Sequence, residues 1–303
     1  MMSDWVKLQR DFERYLKLEK HLAANSVEAY LRDLGHLSRF ATERGLDADK
    51  VRLEDLQLLL KELNGSDIAL ATQCRFISGW RTFFKMLLVE DAISENPADL
   101  LEMPRPSRHL PDVLTDEEID AIEATLDLSN PSQARNKVII EVLYGCGLRV
   151  SELTMLRLSN IYADEECLMV TGKGSKQRWV PINKSALKQL DLYIHTIRCH
   201  IAPRKGEENY VFLNNRGAHL SRIYVFRFLK EAVAAAGINK QVSPHSLRHS
   251  FATELVQNGA DLRAVQEMLG HATITTTEIY THLSRQYLRD TIETYHPHYK
   301  KKP

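Results

Sequence analysis

Apolar side chains recur every three or four residues through the first ninety positions, and polar residues fill the positions between them. Four segments share this spacing: 5–16, 25–40, Leu53–Leu63 and Cys74–Leu88. Asn25 can cap the second segment, and Glu28 three residues later completes a capping box. This periodicity predicts an N-terminal part built of helices.

Prolines interrupt the pattern after this part. Asn96-Pro97 and the segment 103–106 cannot continue a helix, and a residue before proline is pushed toward extended conformations. Thr115 then begins a new helix with acids in its first turn. We therefore predict a helical domain over 1–104, a linker over 105–111 and a second domain over 112–303.

The second domain mixes helical and strand patterns. Cys167–Thr171 and Arg178–Ile182 flank a glycine-containing turn, which predicts an antiparallel hairpin, and Tyr210–Leu213 is a candidate third strand. Asp261 is placed to cap a helix that Gly270 ends. The expected fold class is mainly α: an all-helical N-terminal domain and a mixed α+β domain in which helices surround a small antiparallel sheet.

Charge changes this picture only locally. The chain has 40 Lys and Arg against 40 Asp and Glu, so its net charge does not indicate a nucleic-acid partner. Two stretches contain bases and no acid: 167–190, with Lys173, Lys176, Arg178, Lys184 and Lys188, and 211–230, with Arg216, Arg222, Arg227 and Lys230. Either one alone is most simply a solvated surface, whereas both together, beside residues suited to phosphate, favour a nucleic-acid surface.

Cysteine spacing and hydropathy exclude other classes. The four cysteines form no CxxC pair, which argues against a structural zinc site and against a disulfide framework. The N-terminal residues are polar, and no run reaches the ~18 apolar residues of a membrane span. We expect a cytoplasmic protein.

Six side chains in the second domain suit phosphate chemistry: Arg149, Lys173, His245, Arg248, His271 and Tyr280. Taken singly, each has a plainer interpretation. Arg149 can pair with Glu152 three residues on, a turn lysine is usually solvated, and a lone tyrosine is a weak nucleophile unless it is activated. No carboxylate cluster accompanies the set, so no metal ion is needed to explain it.

The pair His245 and Arg248 has the best-defined local setting. Ser243 suits the N-cap and Pro244 the first position of a helix, so the pair shares a face of the first turns. Free N–H groups at a helix N-terminus favour a phosphate. His249 follows His245 by four residues, but no third metal ligand is evident, and a phosphate site is the better interpretation.

In this order the six residues resemble those of the tyrosine site-specific recombinases, the phage-integrase family. The surrounding words are similar too: GCGLRVSEL at 145–153, TGKGSK at 171–176, HSLRHSFAT at 245–253, LGH at 269–271 and IYTH at 279–282. The N-terminal helices resemble the family's core-binding domain. Within the family, the compact size and the segments 258–263 and 295–298 are most similar to XerD-type members of the Xer recombinases, although His298 departs from the usual arginine.

The resemblance implies roles for the six residues. Tyr280 would attack the scissile phosphorus and give a 3′-phosphotyrosine and a free 5′-hydroxyl, so that no cofactor is required. Arg149 and Arg248 would bind the non-bridging oxygens. The remaining roles are proton donor to the leaving 5′ oxygen for Lys173, general acid and base for His245, and hydrogen bond to the phosphate for His271.

The resemblance also implies partners. The two domains would clamp a double-stranded DNA recombination site, and four protomers, among them a XerC-like second recombinase, would exchange strands. The segment 284–298 would dock into a neighbouring subunit, and a septal DNA translocase would direct the resolution of chromosome dimers. The alternatives are an integrase of a phage or mobile element, a type IB topoisomerase, and a non-catalytic DNA-binding protein with this fold.

Overall fold

The computed structural model describes residues 4–64, 68–104, 112–172, 176–270 and 285–300. The chain divides into two compact units, Met1–His109 and Leu110–Pro303. The predicted linker, 105–111, lies outside the described residues, and the predicted domain limits stay predictions.

The described part of the first unit is helical, as its periodicity predicts. Its α-helices are α1 (Trp5–Leu18), α2 (Ala24–Glu43), α3 (Leu53–Asn64) and α4 (Leu70–Val89). Phe12, Leu37 and Trp80 are fully buried where α1, α2 and α4 pack together. Each such side chain contributes roughly 1.5–3 kcal/mol by leaving water, which is why the apolar stripe decides the packing.

The predicted cap of the second helix is wrong. The carbonyl of Ala23 accepts from the N–H of Val27 at 3.1 Å, so Ala23 is the N-cap residue and makes no side-chain cap bond. Asn25 therefore lies inside the first turn of α2. Backbone hydrogen bonds place the N-cap two residues earlier than the side-chain signal indicated.

The second unit places helices around a small sheet. Its helices are α5 (Asp116–Ala124), α6 (Pro131–Cys146), α7 (Val150–Thr154), α8 (Lys184–Thr196), α9 (Arg222–Ala235), α10 (Pro244–Gln257), α11 (Leu262–Leu269), α12 (Arg285–Tyr295) and α13 (Pro297–Lys300). Its strands are β1 (Ile161–Tyr162), β2 (Cys167–Thr171) and β3 (Gln177–Pro181), in the order β1-β2-β3. The expected fold class, mainly α with a small antiparallel sheet in the second part, is confirmed.

The hairpin is where it was predicted, but the third strand is not. β2 and β3 pair antiparallel with Met169 opposite Trp179. Tyr210–Leu213 makes only isolated bridges, and the third strand is β1. Val211, Phe212 and Leu213 are all fully buried, so this apolar run fills the core with successive side chains instead of alternating across a sheet.

Apart from Asn25, the predicted helix caps are correct. The Thr115 side chain caps α5 in a capping box with Glu118, and the Ser243 side chain caps α10. Asp261 caps α11, and Gly270 ends it with a φ of 63°. These signals are correct because each depends on residues within one turn of the helix end.

The C-terminal helices pack on the core of the second unit. Leu288 and Ile292 of α12 are buried in it, and the ring of His296 contacts the ring of Phe251 at 5.1 Å between centroids. Tyr299 donates a hydrogen bond to the carbonyl of Pro181 at 3.2 Å. Docking of the segment 284–298 into a neighbouring subunit would have to replace these contacts, and it stays a prediction.

Candidate active site

Gly147 and Arg149 connect α6 to α7. Gly147 ends α6 with a φ of 59°, in the left-handed region that other residues disfavour. A Cβ atom there would lie 2.4 Å from Cδ1 of Phe251, so glycine also permits α6 to approach α10. Arg149 is the N-cap residue of α7, and this places Glu152 within the first turn of the helix.

Glu152 is the centre of a cluster of three arginines. Its Oε1 atom accepts from Nη1 of Arg149 at 2.8 Å and from Nη1 of Arg178 at 2.7 Å. Its Oε2 atom accepts from the backbone N–H of Arg149 at 2.8 Å and from Nη2 of Arg178 at 2.9 Å. Oε2 also lies 3.8 Å from Nη1 of Arg248.

The charges of this cluster favour an anionic ligand. Three guanidinium groups and one carboxylate (+3 and −1) leave a net charge of +2. A phosphodiester carries one negative charge, and its transition state spreads more negative charge over the non-bridging oxygens. Charge-assisted hydrogen bonds from arginine would therefore stabilise such a transition state more than the phosphodiester itself.

Burial perturbs the ionisation of two members. Burial by itself raises the pKa of the Glu152 carboxyl, but the hydrogen bonds and charge of Arg178, together with hydrogen bonds from Arg149, hold that pKa below its ordinary value. Burial, aided by the charge of Arg149, lowers the pKa of the Arg248 guanidinium to about 10. Both groups are therefore charged at neutral pH, and each reduces the cost of burying the other.

The same arginines hold the C-terminal end of α11, and each donates to one of three consecutive carbonyls. The pairs are Arg178 Nε to Met268 at 2.7 Å, Arg248 Nη2 to Leu269, and Arg149 Nη2 to Gly270 at 3.1 Å. The last carbonyls of a helix lack partners within it and form the negative end of its dipole, where cations are stabilising. The end of α11 is thus fixed by the cluster around Glu152.

The structure brings together two of the six predicted residues, Arg149 and Arg248. The Arg149 side chain is 34% exposed, whereas that of Arg248 is 5% exposed and also donates to the Gly147 carbonyl at 2.7 Å. His245 is exposed in the first turn of α10. Lys173, His271 and Tyr280 lie outside the described residues, so their place in the site stays a prediction.

Glu152 and Arg178 are members of the cluster that sequence reasoning did not include in the site. Glu152 was considered only as a simple partner of Arg149, and Arg178 only as one base in an acid-free run. The spacing of Glu152 from Arg149 is that of a capping box, which was the available signal for its orientation. No local signal marks Arg178, because its contacts with Glu152 and Met268 join positions far apart in the chain.

Exposed bases surround other parts of the second unit. On α9, Arg222, Arg227 and Lys230 are exposed, together with Ile223, which is 79% exposed. Lys176, Lys184 and Lys188 are exposed in the other acid-free run. Lys184 lies 3.6 Å from Glu166 and Arg227 lies 3.9 Å from Glu231, and the other exposed bases carry positive charge suited to a phosphate backbone. Of the described bases in the two runs, Arg178 points into the cluster instead.

Within the ranges that the structure describes, no three His, Cys, Asp or Glu side chains are grouped so that they could hold a metal ion. In the same part of the chain, no helix has the length and the apolar character that crossing a membrane requires.

Known proteins match the chain over nearly its whole length. The phage integrase family is matched over residues 112–287, and the phage integrase N-terminal SAM-like domain over residues 10–91. The tyrosine recombinase XerD of Chlorobaculum tepidum is 38% identical over 296 residues, covering 97% of both chains. The tyrosine recombinase XerD of Lacticaseibacillus casei is 40% identical over 287 residues, 95% of this chain and 97% of that protein.

A solved structure shares the fold. The Tn1549 transposon integrase in complex with circular intermediate DNA has a TM-score of 0.72, with 20% identity over 97% of this chain and 100% of that one. At this identity the likeness concerns the fold alone. The sequence matches confirm the resemblance that the six residues and their surrounding words indicated.

Proposed function

This chain belongs to the phage integrase family of tyrosine recombinases, and we propose that it cuts and rejoins DNA at a specific site through Tyr280. The observation that supports this most is the convergence of Arg149 and Arg248 on Glu152, with a net charge of +2 in one cluster. Such a cluster suits a single phosphodiester better than an extended anionic surface.

The cleavage step conserves the phosphodiester energy. The Tyr280 oxygen attacks phosphorus as its proton passes to His245, the bond to the 5′ oxygen breaks, and Lys173 supplies the proton of the resulting hydroxyl. The product is a 3′-phosphotyrosine and a free 5′-hydroxyl, and the reverse attack by another 5′-hydroxyl rejoins a strand. No oxidant or nucleotide is consumed, which agrees with the expectation of no cofactor.

The two arginines differ in how they reach the phosphate. Arg149 is partly exposed and can donate directly to a non-bridging oxygen. Arg248 lies deeper, but each of its terminal nitrogens carries a second N–H beside the one directed at a backbone carbonyl. Removing one such donor typically costs ~2.7–4 kcal/mol of transition-state stabilisation, on the scale of oxyanion donors. His271 adds a further hydrogen bond in this proposal.

DNA binding itself is supported by the exposed bases. Arg222, Arg227 and Lys230 of α9 lie on one solvent-facing surface, and phosphate contacts of this kind position a protein on a duplex without reading its sequence. The helical first unit serves as the core-binding domain. A protein that acts on the chromosome works in the cytoplasm, which is the proposed location.

The biological role we propose is the resolution of chromosome dimers with a XerC-type second recombinase. The curated relatives described above carry the name XerD and match nearly the whole chain. Four protomers on two sites, two of each type, exchange strands in two rounds, and a septal DNA translocase acts on the complex. Contacts of the C-terminal segment 284–298 with a neighbouring subunit belong to the same proposal.

Covalent trapping tests the chemistry. A nicked DNA substrate releases a short fragment after cleavage and leaves the enzyme attached to a 3′ end. We expect a covalent adduct with the unchanged protein and none with Tyr280→Phe, which should still bind the DNA. An adduct formed by Tyr280→Phe would contradict the assignment of the nucleophile, and no adduct with either protein would contradict the proposed function.

The partner is tested separately on a plasmid that carries two copies of the host's candidate site. We expect complete recombination only when the XerC-type recombinase of the same organism is added. Complete recombination by this chain alone would overturn the partner proposal and favour an integrase of a phage or mobile element. Relaxation of supercoils without a specific site would favour a topoisomerase.

A further inference from the structure

We propose that Arg178 is a positioning residue for DNA cleavage: by binding both oxygens of Glu152 and the end of α11, it sets the geometry in which Arg149 and Arg248 meet the phosphate. This inference rests on the proposed function. Arg178 lies on β3, Glu152 on α7 and Met268 at the end of α11, so one side chain joins three elements.

The Arg178 guanidinium orients the carboxylate plane. Nη1 and Nη2 donate to Oε1 and Oε2 of Glu152 at 2.7 and 2.9 Å, the parallel arrangement that gives arginine–carboxylate pairs their geometric specificity. The same two oxygens accept from the side chain and the backbone of Arg149. A rotation of the Glu152 carboxylate therefore moves the acceptors that orient Arg149. Without Arg178, only the hydrogen bonds from Arg149 would oppose this rotation.

The third donor of Arg178 fixes the end of α11. Its Nε bonds to the Met268 carbonyl, next to the carbonyls that Arg248 and Arg149 hold. Packing here is close, since a Cβ atom on Gly270 would lie 3.1 Å from Cδ of Arg178. The three arginines consequently share two sets of acceptors, the Glu152 carboxylate and the last carbonyls of α11. A displacement of one arginine is therefore transmitted to the other two.

Arg178 also lies against the end of the β2–β3 hairpin. The N–H of Gly172 bonds to the carbonyl of Lys176 at 2.8 Å, and a Cβ atom on Gly172 would lie 3.4 Å from Oε1 of Glu152. The same Cβ atom would lie 3.5 Å from Nη1 of Arg178, so Arg178 and Glu152 both lie against Gly172, which precedes the predicted turn of Lys173. One side chain connects the residues proposed for phosphate binding with the turn proposed to supply the leaving-group proton.

Arg178 is not itself placed as a phosphate ligand. Its Nη1 and Nη2 form a two-bond pair with the Glu152 carboxylate and its Nε donates to the Met268 carbonyl, whereas Arg248 makes no such pair and lies 3.8 Å from Glu152. Loss of Arg178 should therefore affect the rate of cleavage more than the affinity for DNA. This separation distinguishes a positioning role from the direct contact proposed for Arg149.

Single-turnover cleavage of the nicked substrate at saturating DNA tests the inference. We expect Arg178→Ala to bind DNA within about threefold of the unchanged protein and to cleave on the order of 100-fold more slowly, since a misplacement of about 1 Å has this effect. Arg178→Lys keeps the charge and one hydrogen bond but cannot hold Glu152 and Met268 together, and we expect an intermediate rate.

Arg198 provides the matched control. It is buried in the same unit and donates to two backbone carbonyls, those of Tyr210 at 2.8 Å and Glu208 at 2.5 Å, away from the cluster. Arg198→Ala removes a comparable structural arginine and should leave the cleavage rate within about twofold. The inference would be overturned if Arg178→Ala and Arg198→Ala slowed cleavage equally. It would also be overturned if either variant of Arg178 cleaved DNA as fast as the unchanged protein.

A pH profile gives a second readout that a purely structural role would not change. Among the residues that the structure describes, the charged groups facing Glu152 are Arg149 at the N-cap of α7, Arg178 on β3 and Arg248 on α10. Without Arg178, burial raises the pKa of Glu152, so the defect of Arg178→Ala should grow as the pH falls and shrink as it rises. A defect that is constant with pH would count against the inference, whereas failure of the unchanged protein to form any adduct would count against the proposed function alone.

Discussion

Replacing Gly147 by alanine should destabilise the second unit through two separable effects. The φ of 59° costs an alanine roughly 1–2 kcal/mol in the left-handed region. The new Cβ would also lie 2.4 and 2.7 Å from Cδ1 and Cε1 of Phe251, which is fully buried and packs against the ring of His296. Such overpacking adds about 1–3 kcal/mol, and we expect a total loss of about 2–5 kcal/mol.

Gly237 allows the two effects to be separated. Its φ is 69°, but no atom lies within 4 Å of the position that a Cβ would take. Gly237→Ala therefore carries the backbone strain without the collision and should cost only roughly 1–2 kcal/mol. The difference between the two variants measures the contact with Phe251, and a smaller side chain there, as in Phe251→Leu, should recover part of it in the Gly147→Ala background.

Calorimetric unfolding measures these differences, with the transition of the second unit followed in each variant. For a unit of this size each kcal/mol lowers the melting temperature by about 2–4 °C. The Gly147→Ala protein should also cleave DNA more slowly, because the Gly147 carbonyl accepts from Arg248. Equal losses of stability in Gly147→Ala and Gly237→Ala would refute the argument that the close approach of α6 and α10 requires glycine.

The remaining predictions concern ionisable groups. Because the pKa of Glu152 is depressed in the folded protein, its ionised carboxylate stabilises the fold above the ordinary carboxyl pKa, and this stability is lost as the pH falls through the depressed pKa. Glu152→Gln should therefore remove this loss at low pH from the measured free energy of unfolding. Burial, opposed by Arg75, raises the pKa of Asp33 to about 6, so stability should decline as the pH rises toward that value, and Asp33→Asn should flatten the decline in urea titrations. Lys173→Ala should cleave slowly but recover on a substrate with a 5′-thio leaving group, because a sulfur anion needs no proton; absence of recovery would remove Lys173 as the acid. Cleavage should persist in EDTA, and a strict requirement for metal would contradict the proposed chemistry.

Much of the fold could be predicted because its signals are local. Helical spacing located the helices of the first unit, and caps such as Ser243 and Asp261 were correct because a cap depends on a single turn. Asn25 failed as a cap since the Ala23 carbonyl starts α2 first. Tyr210–Leu213 failed as a strand because a short apolar run fits a core segment as well as a sheet.

The sequence by itself determined the family to which this protein belongs, because the words around Arg149, Arg248 and Tyr280 are carried by adjacent residues. The same words predict the chemical set. Only the tertiary structure decided how the arginines are held. Arg178 looks like any base of an acid-free run until β3, α7 and the end of α11 meet at Glu152. Its role depends on contacts between residues far apart in the chain, where the direction of each side chain follows from packing and from the need to neutralise a buried carboxylate.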